Sequence, residues 1–98
     1  MFVHSVYFWL TQEATPQQRA GCQAALLGLL DIPSIRQGHV GQPAATDEPV
    51  VDRSFSFGLT LLFDDQAAHD AYQIDPSHLA FVARFGALFA RVQVYDTN

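Results

Sequence analysis

The sequence predicts an α+β domain whose four-stranded antiparallel sheet carries its helices on one face. Three observations point there. Residues 54–63, "SFSFGLTLLF", alternate strictly, with Phe55, Phe57, Leu59, Leu61 and Phe63 on one side and Ser54, Ser56, Gly58, Thr60 and Leu62 on the other, the mark of a strand with one deeply buried face. Residues 15–30 open on a helix-start signature and continue with apolar residues at helical spacing. The elements then run β-α-β-β-α-α-β without a repeat, over 98 residues, a length that suits one domain spanning 1–98.

Taken in order, "FVHSVYFWL" (2–10) is rich in β-branched and aromatic residues and reads as a strand. Phe2, His4, Val6, Phe8 and Leu10 share one face; Val3, Ser5, Tyr7 and Trp9 share the other. Both faces are largely apolar, so both need cover. In "TPQQ" (15–18), Thr15 caps a helix, Pro16 suits its first position and Gln18 completes a capping box. Cys22, Ala25, Leu26, Leu29 and Leu30 form its inner stripe, and Asp31 and Pro33 end it. "SIRQGHVGQ" (34–42) is a weaker strand in which Gly38 or Gly41 permits a bulge or a close backbone approach. "PAATDEPVVD" (43–52) is a polar, proline-bearing loop, expected to be the least ordered internal segment. After strand 54–63, Asp64 or Asp65 caps a helix that runs to Tyr72 or Gln73, with Ala68, Ala71 and Tyr72 on its inner side. Asp75 precedes a proline, which disfavours helical geometry there. It then caps a third helix that starts at Pro76 and presents His78, Phe81, Val82 and Phe85 on one face. "RVQVYD" (91–96) is the last strand.

A β-α-β-β-α-β order is the split-βαβ, ferredoxin-like arrangement. Its helices cover one sheet face only. The doubly apolar first strand therefore implies that a second copy covers the other face, through Val3, Tyr7, Trp9 and Val92 or Val94. Composition agrees: 49% of residues are hydrophobic and 15% charged, little charge for a fully solvated small monomer.

Composition also excludes functions. The net charge is −5, with five basic residues, all arginine, so the basic patch that nucleic-acid phosphates require is missing. One cysteine, Cys22, allows no internal disulfide. The apolar start lacks the basic n-region and cleavage site of a signal peptide, and no apolar run reaches bilayer length. The expectation is a cytoplasmic protein that binds neither membrane nor nucleic acid. The four histidines lack metal-ligand spacing, Cys22 sits on an apolar stripe, and no glycine-rich phosphate loop is present. No metal or cofactor is expected.

The chemistry concentrates in "HDAYQIDPSH" (69–78). The Asp75-Pro76 break ends one helix just after Tyr72 and starts the next just before His78, so both side chains can converge within hydrogen-bond reach, directly or through one water. The helix N-terminus favours a neutral imidazole at His78, although the Asp75 carboxylate opposes this. A neutral imidazole beside a phenol is an acid–base pair. His4 can reach the same space from the sheet. The structural alternative is that Tyr72 and His78 only satisfy hydrogen bonds, that His4 is a core histidine and that Phe57, Phe81 and Phe85 fill the space or line a pocket for a small apolar ligand. His69 falls outside the inner stripe and is expected to be solvated; His39 is assigned no role.

Together, "VHSVYFW", "IPSIRQGHVG", "VVDRSFSFGLTLLF", "AAHDAYQIDPSHLAFV" and "VQVYD" resemble, in order and spacing, the stress-responsive α/β-barrel (Dabb) domain family over nearly the whole chain. The resemblance implies a ferredoxin-like protomer that forms a dimeric α/β barrel. Many members have no assigned activity. One plant member is a cofactor-free polyketide cyclase that closes a poly-β-keto acid by intramolecular aldol reaction. Its acid–base tyrosine and histidine match Tyr72 and His78, and a strand-one histidine matches His4. A third histidine of that enzyme falls at Phe57 here, which argues against the same substrate. Two functions follow: a homodimeric Dabb protein binding a small apolar ligand, or a cofactor-free lyase or cyclase acting on a keto substrate. A cofactor-independent monooxygenase of the same dimeric-barrel superfamily fits the motifs less well.

Overall fold

The computed structural model describes all residues, Met1–Asn98. Its elements are β1 (Phe2–Leu10), α1 (Pro16–Leu29), β2 (Gln37–Gly41), β3 (Phe57–Phe63), α2 (Gln66–Gln73), α3 (Pro76–Phe85), a 3-10 turn (Gly86–Leu88) and β4 (Phe89–Thr97). The strands form one antiparallel sheet in the order β2-β3-β1-β4. This is the expected ferredoxin-like arrangement, with β1 and β3 in the centre.

The helices begin where local chemistry demands. Thr15 Oγ1 accepts from Gln18 N while the Gln18 side chain accepts from Thr15 N, a complete capping box. Asp65 caps α2 by accepting from Ala68 N, and Asp75 caps α3 by accepting from Ser77 N. The even residues of β1 and the odd residues of β3 pair side by side, as in His4 with Leu61 and Val6 with Leu59, and point at the helices. With Cys22, Leu26 and Leu29 of α1, Tyr72 of α2 and Phe81 and Phe85 of α3 they form the core. Gly38 lets β2 lie close under α1: a Cβ there would run into Leu30 Cδ2 and sit 2.9 Å from Leu61 Cδ2.

Four details differ from the sequence reading. β3 begins at Phe57, not residue 54. Phe55 leaves the alternation and packs its ring against Tyr7 on the opposite sheet face, 4.9 Å between centroids, while Ser54 Oγ accepts from Trp9 Nε1. The end of the 43–56 connection is thus folded over the face opposite the helices. On α2, His69 is buried and Ala71 exposed. The helix is only eight residues long, and its inner face is centred on 68, 69 and 72, a one-turn stripe of i, i+3 and i+4 neighbours. Finally, Val92 and Val94 lie on the helix-facing side. They pair with Phe8 and Val6, and directly opposed residues share a sheet face. The β4 residues beside Tyr7 and Trp9 are Gln93 and Arg91. The Arg91 guanidinium lies over the Trp9 ring at 4.4 Å.

Candidate active site

A cavity of about 490 Å³ opens between the sheet and helices α2 and α3, within the size range of small-molecule sites. Val6, Phe8, Leu59, Phe81 and Phe89 form part of its apolar wall; His4, Tyr72 and His78 reach it with polar groups, and Gln73 and Arg91 also line it. The two imidazoles and the phenol arrive from different elements, β1, α3 and α2.

Tyr72 is the most buried of the three, 1% exposed. Its hydroxyl has no hydrogen bond to protein, yet it is not sealed off from the cavity. Burial alone pushes the phenol up to about 12. The group is therefore a neutral donor at physiological pH, not a base.

His78 stands beside it, the two rings 4.5 Å apart between centroids and inclined at 48°. No direct hydrogen bond joins them. Nδ1 of His78 lies 3.1 Å from the carbonyl oxygen of Gln73. A carbonyl only accepts, so Nδ1 carries the proton; in the neutral ring, Nε2 then holds the lone pair. The Asp75-Pro76 break produces this arrangement, because it sets the last carbonyls of α2 within reach of a side chain in the first turn of α3.

His4 obeys the same logic. Its Nδ1 lies 2.5 Å from Oδ1 of Asp96, the residue opposite it on β4. Burial pushes its pKa below the usual histidine value. Asp96 opposes that shift, and the neighbouring His69 and His78 add to it. His4 is neutral at physiological pH with Nδ1 donating to a carboxylate, which leaves Nε2 as an acceptor.

Of the phenylalanines expected at a ligand pocket, only Phe81 lines the cavity. Phe57 and Phe85 are buried in the core outside it: Phe57, beside Phe8 in the sheet, lies next to the first turns of α1, and Phe85 lies one turn further along α3. Phe8 and Phe89, 4.8 Å apart between centroids, stand in their place. Burial pushes the Cys22 thiol up to about 11, in keeping with its reading as a small hydrophobe. His39 lies on β2, on the opposite side of the sheet from β4.

Two residues of this neighbourhood escaped the sequence reading: His69 and Asp96. The His69 ring stacks on Phe2, 4.3 Å between centroids, and lies 5.0 Å from His4. Asp70 accepts from its Nδ1 at 3.0 Å, and the Gln73 amide lies 3.1 Å from its Nε2. Spacing along the chain could not reveal the grouping of His4, His69 and Asp96, because its members come from three elements.

Residues 2–98 match the family described as Stress responsive A/B Barrel Domain, Dabb. The chain belongs to the Dabb family. No curated protein matches it in sequence. Among solved structures, a Dabb protein with a ferredoxin-like fold from Mesorhizobium loti superposes with TM-score 0.79 at 23% identity, covering 99% of this chain and 94% of that one. A dimeric ferredoxin-like protein of unknown function from Thermobifida fusca gives 0.80 at 23%, covering 98% and 88%. A hydroxynitrile lyase from Passiflora edulis gives 0.81 at 19%, covering 98% and 90%. At these identities the likeness is one of fold. No helix of this Dabb protein is long and apolar enough to cross a membrane.

Proposed function

We propose that this Dabb protein works as a homodimer whose protomers each bind a small, mainly apolar, carbonyl-bearing ligand between the sheet and helices α2 and α3. The observation that carries this is the cavity itself: a largely apolar wall into which two imidazoles and the phenol of buried Tyr72 converge. The dimeric relative of the same fold supports a dimer, and the apolar face opposite the helices, around Val3, Tyr7 and Trp9, is the surface we assign to it. A lasting interface buries more than roughly 1,000 Å². Sedimentation tests the dimer; a monodisperse monomer at micromolar concentration overturns it. Ligand binding is tested by thermal shift with acetophenone and medium-chain methyl ketones. A ligand at 100 times its Kd raises stability by about 2.7 kcal/mol, and Val82→Trp, at the cavity wall, removes the effect. A flat response across aromatic and aliphatic ketones counts against it.

A second reading, a cofactor-free lyase or cyclase, is favoured by the fixed tautomer of His78. Nε2 of His78 takes a proton from the carbon next to the ligand's carbonyl. The electron pair moves onto the carbonyl oxygen, where the Tyr72 hydroxyl donates to the developing enolate. In a cyclisation, the enolate carbon attacks a second carbonyl of the same molecule and the imidazolium returns the proton to the new alkoxide. His4 orients the chain of the substrate. The first half-step needs no known substrate to be observed: exchange of α-protons of the same ketones for deuterium, followed by NMR, is accelerated by the protein and lost in His78→Ala. Exchange at the uncatalysed rate, with ketone shown to be bound, rejects the enzyme and leaves the binding protein.

A further inference from the structure

The geometry points to a divalent transition-metal site formed by His4, His69 and Asp96 at the edge of the sheet beside the cavity. One donor atom from each residue lies within 4.8 Å of the other two. Metal bonds of about 2.0–2.2 Å hold donors roughly 3–3.5 Å apart, so the longest separation must close by about 1.5 Å. The group able to move is present: the Asp96 side chain is 38% exposed on the edge strand β4, while His4 is held in the core.

Two further features argue for a ligand-binding role. His69 occupies an inner position of α2, against Phe2 and Phe63, where an apolar side chain would pack without needing polar partners. Its ring is also oriented from outside the cluster. Asp70 accepts from Nδ1, which leaves the lone pair on Nε2, and a carboxylate behind a histidine is the usual way a ligating imidazole is fixed. The Gln73 amide beside Nε2 is neutral and can swing away when an ion enters.

Two imidazoles and one carboxylate suit zinc, cobalt(II), iron(II) or manganese(II) rather than magnesium or calcium, which prefer all-oxygen shells. On binding at His4 Nδ1, the ion takes the place of the proton shared with Asp96, and that proton moves to Nε2. Three protein ligands leave at least one open coordination position, and His4 also lines the cavity, so a carbonyl or carboxylate ligand can reach it.

The test is titration of the chelator-stripped protein with zinc(II) by calorimetry and with cobalt(II) by absorption spectroscopy. One ion per chain is expected, bound at micromolar Kd or tighter. Asp96→Asn and His69→Phe should each weaken zinc at least tenfold, in line with removal of a ligand, while His39→Ala, on the far strand, changes nothing. Asp96→Asn alters a partly exposed residue and serves if His69→Phe does not fold. Absence of binding below about 100 µM, or binding that survives both ligand substitutions, overturns the site. Because the readout is metal affinity, it stands apart from any result on ketone binding or turnover.

Discussion

Replacing Tyr72 by Phe separates a residue kept for chemistry from one kept for structure. The substitution removes one oxygen. Tyr72 is 1% exposed and its hydroxyl bonds to no protein group, so no intramolecular hydrogen bond is lost. Burying an uncompensated hydroxyl costs about 1–3 kcal/mol by protein mutational data. The hydroxyl is open to the cavity rather than fully buried, so Tyr72→Phe is expected to stabilise the fold by at most about 1 kcal/mol. For a domain of this size, that raises Tm by at most roughly 4–8 °C. A tyrosine whose hydroxyl held the structure would move the other way, losing about 1 kcal/mol with its hydrogen bond. The sign therefore decides. Thermal and urea unfolding at a fixed protomer concentration measure it, with α-proton exchange of methyl ketones as the second readout. Higher stability together with at least a hundredfold slower exchange is expected if Tyr72 is the acid. A drop in stability of more than about 1 kcal/mol refutes the reasoning, because it means the hydroxyl has a structural partner.

Three other outcomes follow from the same geometry. His4 has a lowered pKa in the folded protein, so between that value and the unfolded value of about 6.5 the unfolded chain binds more protons; stability is fully present above about pH 6.5 and falls as pH drops through this window, by at most about 1.4 kcal/mol per pH unit. With chelator present, His4→Gln should remove that part of the slope, and an unchanged slope assigns it elsewhere. Gly38→Val should destabilise the domain measurably in urea, since the new Cβ meets Leu30, just past the end of α1, and Leu61 of β3, and overpacking of this kind costs about 1–3 kcal/mol; an unchanged midpoint would mean Leu30 repacks freely. Leu61→Ala, at a fully buried central position, should cost about 2–5 kcal/mol and provides the scale for the other variants.

What could be read in the sequence depended on whether neighbours along the chain or across the sheet decide the outcome. The capping box at Thr15 and the Asp75-Pro76 break are local, and both stand in the structure as expected. So does the alternation of Phe57, Leu59, Leu61 and Phe63. The errors arose where a partner sets the answer. In β4, alternation places Val92, Val94 and Asp96 on one side, but only pairing with β1 tells which side that is. Counting apolar faces assigned the valines to the dimer face, whereas the register pairs Val92 with Phe8, Val94 with Val6 and Asp96 with His4. Because a strand's side chains alternate with period two, the three residues move together. Moving the valines to the helix-facing side therefore also brings the carboxylate to His4 Nδ1. The same limit hid His69, since one polar residue on an eight-residue helix carries too little periodicity to show which way it faces. Both missed side chains belong to the cluster at the cavity edge. That part of the site is created by strand register and helix packing, while Tyr72 and His78 are created by a turn, which is why only the latter pair could be read from ten consecutive residues.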